Sequence, residues 1–334
     1  MTGMLILTRS MMRAALAMPE AIETAAAALA AYSAGDASIP LRTHLATPGG
    51  VNLYMPGFLR SSSALGAKLV SVYPHNADLG LPTVLAVMVL QDAATGEPLA
   101  ALEASFLTAV RTGAAGGVAI RHLARPTATK LLLIGAGAQG RTQVEAARIV
   151  RPISHVVVSD TNAAVAQAAA AEIAAQTVDP AAPLSIVASD TPDRWVSWAD
   201  IIVCATTSRS PVFDGNLVRP GTHINAIGAY TQEMQELPAS VVVRADLMVA
   251  DAREAAWHEA GDLVIPHRQG LIGKDRLGAE LGEVVLGRAP GRRTDHEITI
   301  YKGVGVAALD LATAQSAYAR ARTLGIGLDI DLLA

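Results

Sequence analysis

The 334-residue chain has one cysteine, Cys204, which excludes an intrachain disulfide and a conventional cysteine-rich metal site. It also lacks a strong charge bias. The formal net charge of -4 supplies no global basic surface for nucleic acid, and no lysine-arginine tract supplies a local one. A long uninterrupted apolar run is missing too. The N-terminal stretch is apolar in character, but Arg9, Arg13, Pro19, Glu20 and Glu23 break it, so it predicts a short strand, Met4 to Leu7, followed by helices, with no clear secretory signal or spanning segment. No membrane or nucleic-acid partner is expected, and the cytoplasm is the expected compartment. No motif sets several histidines or carboxylates at metal-ligand spacing. His258 with Glu254 and Asp262 comes nearest, beside the loop sequence AGDL, and no metal is expected.

What is present is a large apolar content, 51% hydrophobic against 17% charged residues, enough to bury a substantial core in two domains at about 150 residues each. The most specific stretch is KLLLIGAGAQGRTQVEAARIVRPISHVVVSD, Lys130 to Asp160. It reads as strand, glycine-rich turn, helix, second strand and terminal acid. Gly135 permits the sharp turn after the strand, Gly137 lets backbone approach a pyrophosphate, and Gly140 allows close helix-strand packing. A helix from about Gln139, with Ala138 at its start, would offer N–H groups to the phosphates. Asp160 falls twenty residues after Gly140, where a carboxylate accepts bonds from the adenosine ribose hydroxyls. A 2'-phosphate would meet like charge there, and Thr161 and Asn162 bring no cation. The predicted cofactor is NAD(H).

Ahead of this unit, Val51 to Pro56, Leu65 to Tyr73, Thr83 to Gln91 and Pro98 to Ala104 read as strands, and Phe106 to Ala124 as a helix. After it, helix Ala163 to Ala175 and strands Ser185 to Ala188, Ile201 to Ala205, His223 to Ala226 and Leu247 to Ala250 continue the alternation, with a helix expected near Gln232 to Leu237. The prediction is α/β, a doubly wound sheet plus a separate substrate domain to which a C-terminal helix, Ala307 to Arg320, returns.

Hydride transfer needs a polarised carbon and a proton carrier. Arg42, Lys68, His75 and Arg111 are the candidates in the first half. Arginine binds a carboxylate bidentately, and a desolvated lysine titrates, so together they suggest an anionic organic substrate. Each has an ordinary alternative: a surface ion pair for Arg42, a snorkelling stem for Lys68, an interdomain salt bridge for Arg111 and loop capping for His75.

The stretches GAKLVSVYPHN (Gly66 to Asn76), GLPT (Gly80 to Thr83), LTAVRTGAAGG (Leu107 to Gly117), HINAIGAYTQEMQEL (His223 to Leu237), AGDL (Ala260 to Leu263) and YKGVGVAALDLA (Tyr301 to Ala312), with the glycine fingerprint, closely resemble the ornithine cyclodeaminase and mu-crystallin family. The resemblance spans nearly the whole chain. It implies a substrate-binding and dimerisation domain of residues 1–118 and 306–334, an inserted Rossmann NAD-binding domain of residues 119–305, and a homodimer. It makes Arg42, Lys68 and Arg111 the substrate pocket. Thr112, Ala205, Thr206, Thr207, Gly228, Lys302 and Gly303 become cofactor-proximal. Cyclodeaminating relatives place an aspartate where this chain has Tyr230, and Glu233 is expected on a helix, so the expected activity is NADH-dependent reduction of a small cyclic α-imino acid such as pyrroline-2-carboxylate or piperideine-2-carboxylate. Alternatives are an open-chain imino-acid reductase or alanine dehydrogenase-like enzyme, including iminosuccinate reduction, then a cyclodeaminase, then an NAD-bound binding protein without turnover.

Overall fold

The computed structural model describes residues 3–176 and 184–332. The chain forms two compact units, one of Met1–Arg111 with Val306–Ala334 and one of Thr112–Gly305.

The first unit is built on a mostly antiparallel sheet. Its strands are β1 (Met4–Leu7), β2 (Ala37–Ser38), β3 (Thr43–Thr47), β4 (Gly50–Leu59), β5 (Ala64–Val72), β6 (Val84–Gln91) and β7 (Pro98–Glu103), with helices α1 (Arg9–Ala15) and α2 (Met18–Ser33) between β1 and β2. Pro19 sits in the first turn of α2, where its missing N–H costs nothing. The period-2 alternation of β5 turns Lys68 and Val70 inward and Leu69 outward. Lys68 pairs in register with Met55 on β4 and Met88 on β6, so its stem lies among apolar side chains.

The second unit begins within helix α3 (Ala104–Leu123), which contains the division after Arg111. Its sheet comprises β8 (Lys130–Ile134), β9 (His155–Ser159), β10 (Ser185–Ser189), β11 (Ile201–Cys204), β12 (His223–Ala226), β13 (Leu247–Ala250), β14 (Ala279–Glu280) and β15 (Thr299–Lys302). The order is β10-β9-β8-β11-β12-β15-β13-β14, and every pairing is parallel. A parallel sheet is covered on both faces, which explains the unbroken apolar runs LLLI and IIVC. Leu131, Leu133, Val156, Val158, Ile201 and Val203 fill one core, and Leu132, Ile134, Val157, Ile202, Cys204 and Ile224 fill the other. The covering helices are α4 (Ala138–Val150), α5 (Ala163–Ala175), α6 (Asp193–Val196), α7 (Ala239–Arg244), α8 (Arg253–Glu259), α9 (Gly261–Arg268) and α10 (Leu281–Val285). α5 presents small buried residues, Ala166 and Ala169, to the sheet and is capped by Asn162 Oδ1, which accepts from the Ala164 and Val165 N–H groups.

The return to the first unit is helix α11 (Ala307–Leu324), ended by Gly325 in the left-handed conformation, φ 65°. α11 packs on β4, β5 and β6, and β16 (Leu328–Ile330) then closes the sheet against β1. Among the described residues no single helix is long and apolar enough to cross a membrane.

One expected element is absent. Gln232 to Leu237 forms turns in place of a helix, because its backbone bonds go to distant segments: Gln235 N–H to Ser208 O, Val212 N–H to Glu236 O, and the Glu236 and Leu237 N–H groups to Asp262 Oδ1. Glu233 is therefore not on a helix. β2, β3, β14, β15 and β16 are strands beyond those the sequence predicts.

Candidate active site

The glycine loop lies between β8 and α4, at the switch point where strand order turns from β9 to β11. Gly135 has φ +96°, in the left-handed region. A Cβ on Gly140 would stand 2.3 Å from Gly135 O, so glycine is what lets α4 close onto the loop. A Cβ on Gly137 would meet nothing within 4 Å, which is open room above the helix start. Gly137 is the N-cap of α4 without a side-chain capping bond, and Gly137 and Ala138 are exposed with Gln139 half-buried behind them. The first-turn N–H groups of α4 thus lack a side-chain acceptor, the arrangement that suits a pyrophosphate. Asp160 follows β9, its Oδ2 accepting from Ala136 N–H at 3.0 Å and its Oδ1 from Asn162 N–H at 2.9 Å. Thr161 beside it is exposed. Arg141, the arginine adjoining the fingerprint, is paired with Glu172 at 2.6 Å. Carboxylate, glycines and helix start fit a dinucleotide with an unphosphorylated ribose.

Farther along the same strand ends, two loops are fastened by one buried acid that sequence reasoning passed over. Glu236 Oε1 accepts from the Thr206 N–H and Oγ1–H at 2.6 and 2.9 Å, and Oε2 from the Gly228 and Ala229 N–H groups at 2.6 and 3.1 Å. Burial pushes its carboxyl above the ordinary range, although Lys302 and Thr206 pull the other way. Ala205 leads into this loop from β11, its N–H on Ile134 O, and Thr207 follows it as an exposed residue. Lys302, expected beside the cofactor, places Nζ on Asp262 Oδ2 at 2.9 Å with both side chains at 0% exposure. Gly303 N–H donates to Ala226 O, and Asp251 accepts from the Val304 and Gly305 N–H groups. Tyr230 lies half-buried in the loop after β12. Thr112 is half-buried, and its carbonyl accepts from Gln143 Nε2 at 2.7 Å.

In the first unit, β5, α3 and α11 bring three charged side chains together. Lys68 Nζ donates to Asp310 Oδ1 at 2.7 Å, and Arg111 Nε donates to the same oxygen at 2.9 Å. All three are buried, Lys68 to 1% exposure. Asp310 sits in the first turn of α11, where a carboxylate also suits the helix dipole. Burial raises its carboxyl, but Arg111 and Lys68 outweigh that and hold it below the usual range. Burial pulls the Lys68 ammonium down to about 7, with Asp310 opposing the fall and Arg111 and Arg42 reinforcing it. Arg42 is thus within electrostatic reach of the cluster. His75 is not part of it: its ring is exposed beside Asp78. Asp310 Oδ2 is buried without a hydrogen-bond partner.

Asp310, the counter-ion of the predicted cations, lies outside the predicted site residues because it is 199–242 residues from its partners. The available signal was a lone carboxylate between Leu309 and Leu311 in the apolar opening AALDLA of the C-terminal helix. Among the described residues no group of three or more histidine, cysteine or carboxylate side chains is placed to hold a metal.

A Rossmann-type dinucleotide cradle in one unit and a buried lysine-arginine-aspartate cluster in the other define an α/β oxidoreductase class. Within that class the chain belongs to the ornithine cyclodeaminase/mu-crystallin family, whose model matches residues 3–324. It is 39% identical over 330 residues to the Delta(1)-pyrroline-2-carboxylate reductase of Bacillus cereus, covering 98% of this chain and 100% of the relative. It is similar in fold to the Delta(1)-pyrroline-2-carboxylate reductase of Thermococcus litoralis solved with NADH and L-proline, with TM-score 0.94, 40% identity, and 98% and 100% of the two chains covered. An archaeal alanine dehydrogenase dimer with bound NAD also matches, with TM-score 0.90, 34% identity, and 99% of each chain covered.

Proposed function

We infer that this protein is an NADH-dependent reductase of a small cyclic α-imino acid of the pyrroline-2-carboxylate type, forming the cyclic amino acid. The observation that carries the reading is Lys68, buried at 1% exposure with Nζ 2.7 Å from Asp310 beside Arg111. An ammonium that titrates at about 7 can release and recover a proton at neutral pH.

Arg111 meets Asp310 through Nε, which leaves the terminal edge of its guanidinium to clamp the substrate carboxylate, with Arg42 as a second cation. Lys68 donates a proton to the imine nitrogen, leaving the C=N carbon electron-poor. Gly135, Gly137, Ala138, Gln139, Gly140, Asp160 and Thr161, with Thr112, Ala205, Thr206, Thr207, Gly228 and Gly303 nearby, would hold NAD(H), which would supply the hydride. The nitrogen lone pair forms the N–H bond, the C=N π pair becomes the amine lone pair as hydride adds to the carbon, and neutral Lys68 regains its proton from solvent. The residues contribute orientation and placed charge. Tyr230 carries no carboxylate for amine deprotonation and ring closure, which favours reduction over cyclodeamination; its role here is to orient water or substrate. The cytoplasm is the compartment that suits a reductase drawing on a shared NADH pool.

The substrate-binding unit also offers an association surface. The outward face of its sheet carries Tyr54, Leu69 and Val87 in register, each exposed by 38–39%. A second copy of this chain is the partner that suits it, as the related alanine dehydrogenase was solved as a dimer.

The likeness to alanine dehydrogenase also supports a second reading, reduction of an open-chain imine formed from ammonia. NADH oxidation measured with pyrroline-2-carboxylate, piperideine-2-carboxylate, and pyruvate or oxaloacetate with and without ammonia separates the two. Rapid ammonia-independent oxidation with a cyclic imine is expected. Turnover only with a keto acid plus ammonia would replace the cyclic-imine reading with the open-chain one.

A further inference from the structure

Glu236 ties together two loops that no backbone ladder joins. β11 and β12 are adjacent parallel strands, and the loops leaving their carboxyl ends are where an open α/β sheet receives its ligand. Thr206 belongs to the first loop, and Gly228 and Ala229 to the second. The Glu236 carboxylate accepts two donors from each at 2.6–3.1 Å, with the residue at 0% exposure. The loops approach so closely that a Cβ on Gly228 would lie 2.0 Å from Thr206 O. Glu236 is itself held from behind, since Asp262 Oδ1 accepts its N–H at 2.7 Å and Asp262 Oδ2 takes Lys302 Nζ at the end of β15. Two buried carboxylates and one ammonium thereby link the ends of β11, β12 and β15.

We propose that Glu236 is a positioning residue that sets the Thr206 and Gly228 loops to receive the nicotinamide end of the dinucleotide, a role that rests on the NAD(H) reading above. A buried ionic network is an inefficient source of stability, because desolvation offsets most of the attraction. Its strength is fixed geometry, since four donors converging on two oxygens allow one arrangement of both loops. A glutamine cannot replace it. The amide has one acceptor oxygen, so its NH2 group would face two N–H or O–H donors of one loop.

The test is calorimetric binding of NADH and of ADP-ribose, which shares the adenosine and pyrophosphate but lacks nicotinamide, to wild type, Glu236→Gln and Thr206→Val. For Glu236→Gln, NADH affinity is expected to fall about tenfold or more while ADP-ribose affinity stays within about twofold, as loss of charge-assisted bonds at one end of the ligand requires. Thr206→Val removes a single donor to the same carboxylate and is expected to show the same selectivity more weakly; it carries the test if Glu236→Gln does not fold. Unchanged NADH binding in both variants, or equal loss of both ligands, would overturn the proposal, the second outcome marking a general scaffold role. Wild-type protein that binds neither ligand would overturn the NAD(H) reading itself, and the positioning role with it.

Discussion

Of the chain's four lysines, Lys68 and Lys302 are buried to 1% and 0% exposure, each against an aspartate. Their surroundings differ. Asp262 Oδ2 serves Lys302, whereas a single oxygen of Asp310 serves both Lys68 and Arg111. Burial foremost, reinforced by the Arg111 guanidinium that shares the acceptor, brings Lys68 down to about 7 from 10.5. If its proton goes to the imine nitrogen, the rate of imine reduction falls as pH rises through about 7, and amine oxidation rises over the same interval. Flat kcat profiles in both directions from pH 6 to about 9 would remove Lys68 from proton transfer. The shift also has a stability sign. Between about 7 and 10.5 the unfolded chain retains a proton that the native chain has released, so this group makes folding more favourable as pH rises through that window. Asp310→Asn isolates the charge. Oδ1 holds both cations and Oδ2 holds no partner, so the amide can keep both hydrogen bonds while losing the carboxylate that supports the ammonium. Both pH limbs are expected to move toward acid, and a variant with unmoved limbs would show that Asp310 does not tune Lys68.

At the scale of elements, the glycine loop separates ligand room from packing room. Gly137 faces open space, whereas a Cβ on Gly140 collides with Gly135 O at 2.3 Å. Gly137→Ala is therefore expected to leave the thermal midpoint unchanged and weaken NADH binding about tenfold or more, because the methyl occupies the pyrophosphate's approach. Gly140→Ala is expected to lose NADH binding and also about 1–3 kcal/mol of stability through forced backbone movement. Thermal melts with NADH titrations check both, and equal behaviour of the two variants would contradict the division. This loop was legible in the sequence because strand, turn, helix and acid are local and periodic, and the buried runs of β8 and β11 cannot be placed on a surface. Gln232 to Leu237 was not, since its backbone is held by Ser208 and Asp262, partners far away in sequence. The same limit hid Glu236 and Asp310. Sequence spacing exposes groups that act through their neighbours in the chain, and these two act through groups 7–30 and 199–242 residues distant.

At the scale of the whole molecule, one strand serves two purposes through its period of two. β5 sends Lys68 inward, opposite Met55 and Met88, and Leu69 outward, opposite Tyr54 and Val87. A polar residue would be expected on the solvent side of an antiparallel strand, so an apolar row there argues for a covering partner. Leu69→Lys tests that cover without touching the inward face. Across the proposed two-fold-related contact each added ammonium would be buried without a counter-ion, a cost of several kcal/mol per site, enough to dissociate a dimer of ordinary affinity. Sedimentation of the variant is expected to show a monomer at concentrations where wild type is a dimer. Its NADH affinity should stay near wild type, because the cradle of Gly135, Gly137 and Asp160 lies in the other unit. The wild-type thermal midpoint should rise with protein concentration, as it must when association stabilises the fold, and that dependence should vanish in the variant. A Leu69→Lys protein that sediments as a dimer would exclude this face as the interface.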